Sequence, residues 1–347
     1  MAGQDVNRIA DDAMAEAIRD AARALEAGQL VAFPTETVYG LGADAENPAA
    51  VARIYAAKGR PSNHPVIVHV APEADIGYWA ASVPDDARKL IAAFWPGPLT
   101  LILPRAEHIP DAVSGGQDSI GLRCPAHPVA QALLREFKKG KGGVAAPSAN
   151  KFGRISPTTA QHVRDEFGSE LQYVLDGGQS QVGIESTIVD LSRDRVALLR
   201  PGQIGAERIA QVLGVMPQAP DAAAPRVSGA LDSHYAPRTA VALLDTASLQ
   251  AGVEKLHAAA KRVALIQHSS AQIAGTIMTR VLPSVADGYA HDLYAALRAA
   301  DLSGADIILI EMPPQGDAWL GVNDRLRRAT FDSQRVLESL LAGHRSS

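Results

Sequence analysis

One cysteine, Cys124, is all that the 347 residues hold. That excludes an internal disulfide and any multi-cysteine metal site. Following Arg123 in an apolar, strand-like run, it reads as a packed, inert thiol. H-E-x-x-H and spaced Cys/His pairs are missing too, so no metal tightly held by protein side chains is expected. A basic excess is also lacking: 33 Lys and Arg stand against 38 Asp and Glu, a formal net charge of −5. Proteins that grip nucleic acid through phosphates usually carry the opposite sign, so a soluble enzyme or binding protein is favoured over a dedicated RNA binder. The longest apolar runs, such as Ile307 to Ile310, are far too short to cross a bilayer. The opening MAGQDVNRIADD has neither the basic nor the apolar region of a signal peptide, so a cytoplasmic protein is expected. There is no Walker G-x-x-x-x-G-K-[ST], no G-x-S-x-G elbow and no G-x-G-x-x-G after a strand.

What is present is the balance of a globular protein, 47% hydrophobic and 20% charged, with length for two domains. Met14, Ile18, Ala21, Ala22 and Leu25 share one helical face, with Gly28 placed as a C-terminal cap. Asn47-Pro48 starts a second helix, and Pro84-Asp85-Asp86 a third whose acidic first turn suits the helix dipole. Strands are read at 30–33, 66–70, 99–103, 119–124, 143–148, 186–191 and 196–200, giving an α/β or α+β first domain over residues 1–213. From Met216 to Arg238 the chain turns Pro- and Ala-rich without period, so 214–238 is read as a linker or lid. Beyond it, strands at 240–245, 263–267 and 306–311 alternate with helices near 247–262 and 287–300, a small parallel α/β domain over 239–347.

Four segments are too polar to be plain turns. PTETVYGLG (34–42) offers hydroxyls and a carboxylate at a strand's end; a capped turn explains it equally well. In KGRPSNHPVIVHV (58–70), Lys58 and Arg60 flank a glycine, so two cations can face a group that the backbone approaches closely. An exposed basic loop is the bland alternative. His69, among valines and isoleucine, fits a hydrogen-bonded core histidine as well as a ligand contact. PSANKFGRISPTT (147–159) sets Ser148, Asn150 and Ser156 near glycine after a strand, and GIESTIVDL with LLRPG places Ser186 before one strand and Arg200 at the end of the next. KKGKGG (138–143) reads as a solvated basic loop. By themselves these residues indicate a site for a small anion and nothing narrower.

Their order is more telling. PTETVYGLG, KGRPSNHPVIVH, WPGPLTLIL, LRCPAHP, APSANKFGRISPT, GIESTIVDL and LRPG together resemble the threonylcarbamoyl-AMP synthase family. SGALDSHYAP (228–237) and GVNDRLRRA (321–329) are similar to segments of that family's long, two-domain form. The resemblance implies an N-terminal twisted, open mixed sheet with surrounding helices and a concave pocket, plus a smaller C-terminal parallel α/β, Rossmann-like domain. It implies a nucleotidyltransferase that condenses L-threonine, bicarbonate or CO₂ and ATP, with Mg²⁺ accompanying the ATP. A separate transferase would carry the threonylcarbamoyl group to tRNA, with direct tRNA binding weak or indirect. By position, Thr37, His69, Arg123, Ala146 and Ser186 match threonine contacts. Lys58, Arg60, His64, Ser119, Ser148, Asn150, Ser156, Arg200 and Tyr235 match ATP contacts, with Lys58 and Arg60 acting electrostatically. The linker, with His234 and Tyr235, would close as a lid. Two other classes stay open: a carbamoyltransferase, whose cysteine-rich zinc module this chain cannot supply, and a double-stranded RNA-binding module.

Overall fold

The computed structural model describes residues 2–229, 234–331 and 335–337, with side chains from Asp12 onward. The chain forms two compact units. One comprises residues 1–152, 157–181 and 185–230; the other comprises 153–156, 182–184 and 231–347.

The first unit is built on nine strands. They are β1 (Val31–Phe33), β2 (Gly40–Asp44), β3 (Ile67–Val70), β4 (Leu99–Pro104), β5 (Ser119–Arg123), β6 (Gly143–Ala145), β7 (Tyr173–Val174), β8 (Thr187–Asp190) and β9 (Ala197–Arg200). Their order across the sheet is β7-β1-β2-β6-β3-β5-β4-β8-β9. Parallel pairs (β1/β7, β3/β5, β4/β8) mix with antiparallel ones, as expected for a mixed sheet. The helices of this unit are α1 (Ala2–Glu26), α2 (Pro48–Lys58), α3 (Ile76–Trp79), α4 (Asp85–Phe94), α5 (Asp111–Ser114), α6 (Pro128–Glu136), α7 (Ala160–Phe167) and α8 (Ala206–Leu213).

Strand periodicity decides what each face carries. In β4, Leu99, Leu101 and Leu103 point into the main core with Val68, Val70, Ile120 and Leu122. The alternate positions, Ile67, Ile102 and Ile188, form a separate small cluster on the opposite face. On that face a Cβ at Gly121 would meet Ile102, Ile67 and Thr100, so its lack of a side chain keeps the floor low. The expected helix signals operate as read. Asn47 accepts from the N–H groups of Ala49 and Ala50, and Asp85 and Asp86 open α4.

The second unit carries four parallel strands, β10 (Ala240–Leu244), β11 (Val263–Gln267), β12 (Met278–Val281) and β13 (Ile307–Glu311), in the order β10-β13-β11-β12. Helices α9 (Leu249–Ala258), α10 (Ala286–Asp301) and α11 (Leu320–Ala329) accompany them. Leu249, Val253 and Leu256 of α9 pack on Ala242, Val263, Leu265, Ile307 and Leu309. The two short upstream segments are fastened within this unit. Arg154 pairs with Asp301 at 3.9 Å, Ala236 N–H donates to Gly153 O at 3.0 Å, and Arg298 donates to Ile155 O. Gly183, at φ +81°, lies where a Cβ would stand 2.4 Å from Ala290 O. No helix among the described residues is long and apolar enough to cross a membrane.

Candidate active site

Register brings the first expected residues together. In the parallel β3/β5 pair His69 stands opposite Arg123, and in β6 Val144 flanks His69 from the other side. Because β5 alternates, Ser119, Gly121 and Arg123 share the face that carries Ile67 and His69. Arg123 donates to Glu36 Oε1 at 2.6 Å and to Gly97 O at 3.3 Å, and Ala126 N–H donates to Glu36 Oε2 at 3.0 Å. Nη1 of Arg123 has no hydrogen-bond partner among the described residues, leaving an edge of the guanidinium available to a carboxylate. His69 packs edge-on to Phe33 with centroids 5.9 Å apart, and its Nδ1 has no partner among the described residues. Burial, with the Arg123 charge adding to it, pushes the imidazole down to about 3, so it is neutral at physiological pH. Thr37 sits one residue from Glu36, its hydroxyl 2.8 Å from that of Thr35.

The adjacent strands add polar groups. Ser186, just before β8, has its hydroxyl 2.7 Å from Thr100 Oγ1 in β4. Arg200 at the end of β9 donates through Nε to Ser186 O at 3.0 Å and through Nη2 to Ser186 Oγ at 3.1 Å. Ala146 follows β6 and is pinned by its N–H to Ile67 O.

The cation pair sits at the end of α2. Gly59, at φ +64°, ends the helix, and the N–H of Arg60 returns to Tyr55 O, which aims Arg60 away from the helix axis. Lys58 is 3% exposed and donates through Nζ to the carbonyls of Ser148 and Asn150. Burial first and Arg60 second hold its ammonium well below the usual lysine range. Arg60 donates to Pro65 O at 2.8 Å and to Ser228 Oγ at 3.4 Å. His64 stacks edge-on to Phe152 and is likewise lowered, chiefly by burial and then by Arg60.

Residues 216–229 have no helix or strand and run as a strap over this face. Ala224 and Val227 cover Ile67, Ile102 and Ile188. Gln117 fixes the strap reciprocally, accepting from Arg226 N–H at 2.7 Å and donating to Arg226 O at 3.1 Å. Arg200 donates to Ser228 O at 2.8 Å. Between strap and sheet lies a narrow cleft whose lining includes Ser119, Gly121, Ile188 and Ser228.

Thus Thr37, Lys58, Arg60, His64, His69, Ser119, Arg123, Ala146, Ser148, Asn150, Ser186 and Arg200 all fall in the first unit. Ser156 and Tyr235 fall in the second, where both are buried. Tyr235, at φ +60°, stacks with His234 at 4.2 Å, and the Arg325 guanidinium lies 5.5 Å from its ring centre. Of the linker motif, residues 230–233 lie outside the described residues. Thr100 and Gln117 were not singled out from sequence. For Thr100 the signal was there, a hydroxyl alternating with leucines in an apolar strand. Lys138, from the basic glycine-rich stretch, is tied to Asp44 and Glu46. Cys124 is buried and its thiol is pushed up to about 12, mainly by burial, so it is inert as expected.

Comparison with known proteins bears on the chain as a whole. A family model described as "Telomere recombination" matches residues 23–202, and one described as "Threonylcarbamoyl-AMP synthase, C-terminal domain" matches 204–330. The threonylcarbamoyl-AMP synthase of Pyrococcus abyssi is 37% identical over 326 residues, covering 90% of this chain and 94% of its own. That of Bacillus subtilis is 36% identical, covering 90% and 92%. The crystal structure of P. abyssi Sua5 complexed with L-threonine superposes with a TM-score of 0.84 at 36% identity, over 91% of this chain and 94% of that one. Matched by both models in order and by relatives along nine-tenths of its length, the protein belongs to the threonylcarbamoyl-AMP synthase family in its two-domain form.

Proposed function

We propose that the protein is an L-threonylcarbamoyladenylate synthase, a nucleotidyltransferase that converts L-threonine, bicarbonate or CO₂ and ATP into threonylcarbamoyl-AMP and pyrophosphate. The observation that carries the reading is the shared sheet face: a neutral His69 beside Arg123, with Ser119, Ser186 and Arg200 on neighbouring strands. Threonine's carboxylate meets the free edge of Arg123, its hydroxyl meets Thr37, His69 and Ser186, and Ala146 borders its methyl. The nucleotide takes Arg60, His64, Ser119, Ser148, Asn150 and Arg200.

The threonine amine attacks bicarbonate or CO₂, giving a carbamate with release of water from bicarbonate or of a proton to solvent with CO₂. A carbamate oxygen then attacks the α-phosphorus, the α–β bridging P–O bond breaks, and pyrophosphate leaves. Neither step needs a protein nucleophile. Holding the reactants together supplies up to roughly 7–11 kcal/mol, and Arg60 and Arg200 face the charge that develops on the phosphates. A neutral His69 leaves the amine without a competing cation. Carbamate and mixed anhydride are both lost to water, which a strap over the site would limit. Glu36, a carboxylate at the site, is committed to Arg123 and the Ala126 N–H, which fits Mg²⁺ held by the phosphates themselves; when bound, it would neutralise phosphate charge. The product would pass to a transferase acting on tRNA, with tRNA contact weak or indirect.

Mass spectrometry of a reaction with L-threonine, bicarbonate and ATP tests this. A threonine-dependent threonylcarbamoyl-AMP peak with stoichiometric pyrophosphate is expected. ATP consumption independent of threonine, with no such adduct, would overturn it.

A further inference from the structure

Lys58 and Arg60 are two residues apart, yet the fold uses them differently. Arg60 leaves α2 after the Gly59 cap. Lys58 turns back beneath the loop at 148–152 and donates to the carbonyls of Ser148 and Asn150, committing two of its three N–H bonds to backbone. The loop grips α2 in return: Phe152 N–H donates to Lys58 O at 2.8 Å, and Lys151 Nζ donates to Ala57 O at 2.9 Å. These bonds satisfy carbonyls that a helix end would otherwise leave open. On the far side the loop is anchored to β2 and its approach, by Leu41 N–H to Pro147 O and Ala149 N–H to Tyr39 O, both at 2.8 Å. Ala149 and Asn150 are buried, whereas Ser148 is half-buried and its hydroxyl has no hydrogen bond among the described residues. The ammonium therefore holds the backbone of Ser148 while that residue's side chain stays accessible.

We propose that Lys58 is a positioning residue: it shapes the Ser148–Asn150 turn and acts on the nucleotide through Ser148, without touching a phosphate. The proposal rests on the nucleotide reading above, in which Ser148 contacts ATP. Its physical basis is the carbonyl pair. Two carbonyl oxygens pointing at one spot repel each other and, once buried, are costly without a donor between them. A cation with divergent N–H bonds satisfies both and fixes their separation.

A double-mutant cycle separates this role from a direct phosphate contact. Lys58→Met and Ser148→Ala are made singly and together, with Lys58→Gln in parallel so that a folding failure of one variant leaves the cycle measurable. Wild-type formation of threonylcarbamoyl-AMP is the control that reports on the functional reading itself. Each single change is expected to lower kcat/KM for ATP about 10–100-fold. The double variant is expected to fall to the level of the worse single one, because Lys58 has nothing further to act through. The affinity for L-threonine, measured by calorimetry, should stay within about threefold, which a general loss of structure would not allow. Losses that multiply in the double variant would overturn the proposal and return Lys58 to the phosphates. Wild-type ATP kinetics in folded Lys58→Met or Lys58→Gln would overturn it as well.

Discussion

The carboxylate of Glu36 and the guanidinium of Arg123 meet at 2.6 Å with both side chains almost wholly buried, across 87 residues of sequence. One loop therefore presents Thr37 to the site and, through its neighbour Glu36, sets the angle of the arginine opposite. Removing one partner of a buried pair leaves an uncompensated charge, at a cost of about 3–5 kcal/mol. Glu36→Gln should lower the denaturant midpoint accordingly and raise KM for threonine. Combining it with Arg123→Met should restore much of the stability but none of the threonine use. A loss below about 1 kcal/mol on Glu36→Gln would mean that solvent already screens the pair.

Arg60 is the cation that leaves α2 just after the Gly59 cap. Losing one charge-assisted hydrogen bond in a partly dry site costs about 1.5–3 kcal/mol, or roughly 10–150-fold in kcat/KM for ATP. Steady-state kinetics of folded Arg60→Ala should show this loss, with threonine binding unchanged. Near-normal ATP kinetics would remove Arg60 from the site.

His69 predicts a pH dependence with a definite sign. Its pKa in the folded protein, about 3, lies below the ordinary value of 6.5, so the unfolded chain binds the proton more readily. The stability this neutral ring contributes is complete above pH 6.5 and is lost as pH falls towards 3, at up to about 1.4 kcal/mol per pH unit. Unfolding free energies measured from pH 7 to 4.5 should fall less steeply in His69→Gln, by close to one proton. Parallel slopes would show that His69 is protonated equally in both states.

Gln117 is one of the side chains that hold the strap. Gln117 makes two reciprocal bonds to the backbone of Arg226, each worth about 0.5–1.5 kcal/mol net. Gln117→Ala should raise the open population about tenfold, seen as faster proteolytic cleavage between residues 216 and 229. Equal cleavage in the two proteins would assign the hold to Val227 and Ser228 instead.

How much of this was legible follows from what each element relies on. Apolar runs announced β3, β4, β5, β11 and β13, and Asn47 and Gly28 marked helix ends, because those signals are local. β2 was hidden because it begins inside PTETVYGLG, a segment read for its hydroxyls and carboxylate rather than as a strand. Its Gly42 serves a distant need, since a Cβ there would come within 2.7 Å of Val144 and 2.9 Å of Phe33. β12, Met278–Val281, lies mostly exposed and so carries no apolar run to read. Motif order supplied the candidate residue types, but it carries nothing of their pairings. Glu36 with Arg123, and Lys58 with the Ser148 turn, exist only once strand register and loop path are fixed.

Gly153–Ser156 and Val182–Ile184 belong with partners that come much later in the chain. Arg154 must wait for Asp301 and Gly183 for Ala290. At 5–20 residues per second, translation separates Arg154 from Asp301 by roughly 7–30 s. The first unit's strands can pair during that interval, while these two short stretches hang open to proteases and chaperones. Their docking is thus a late event, reached only after the ribosome has delivered α10, and slowing elongation between residues 240 and 300 should lengthen the exposed stage in proportion.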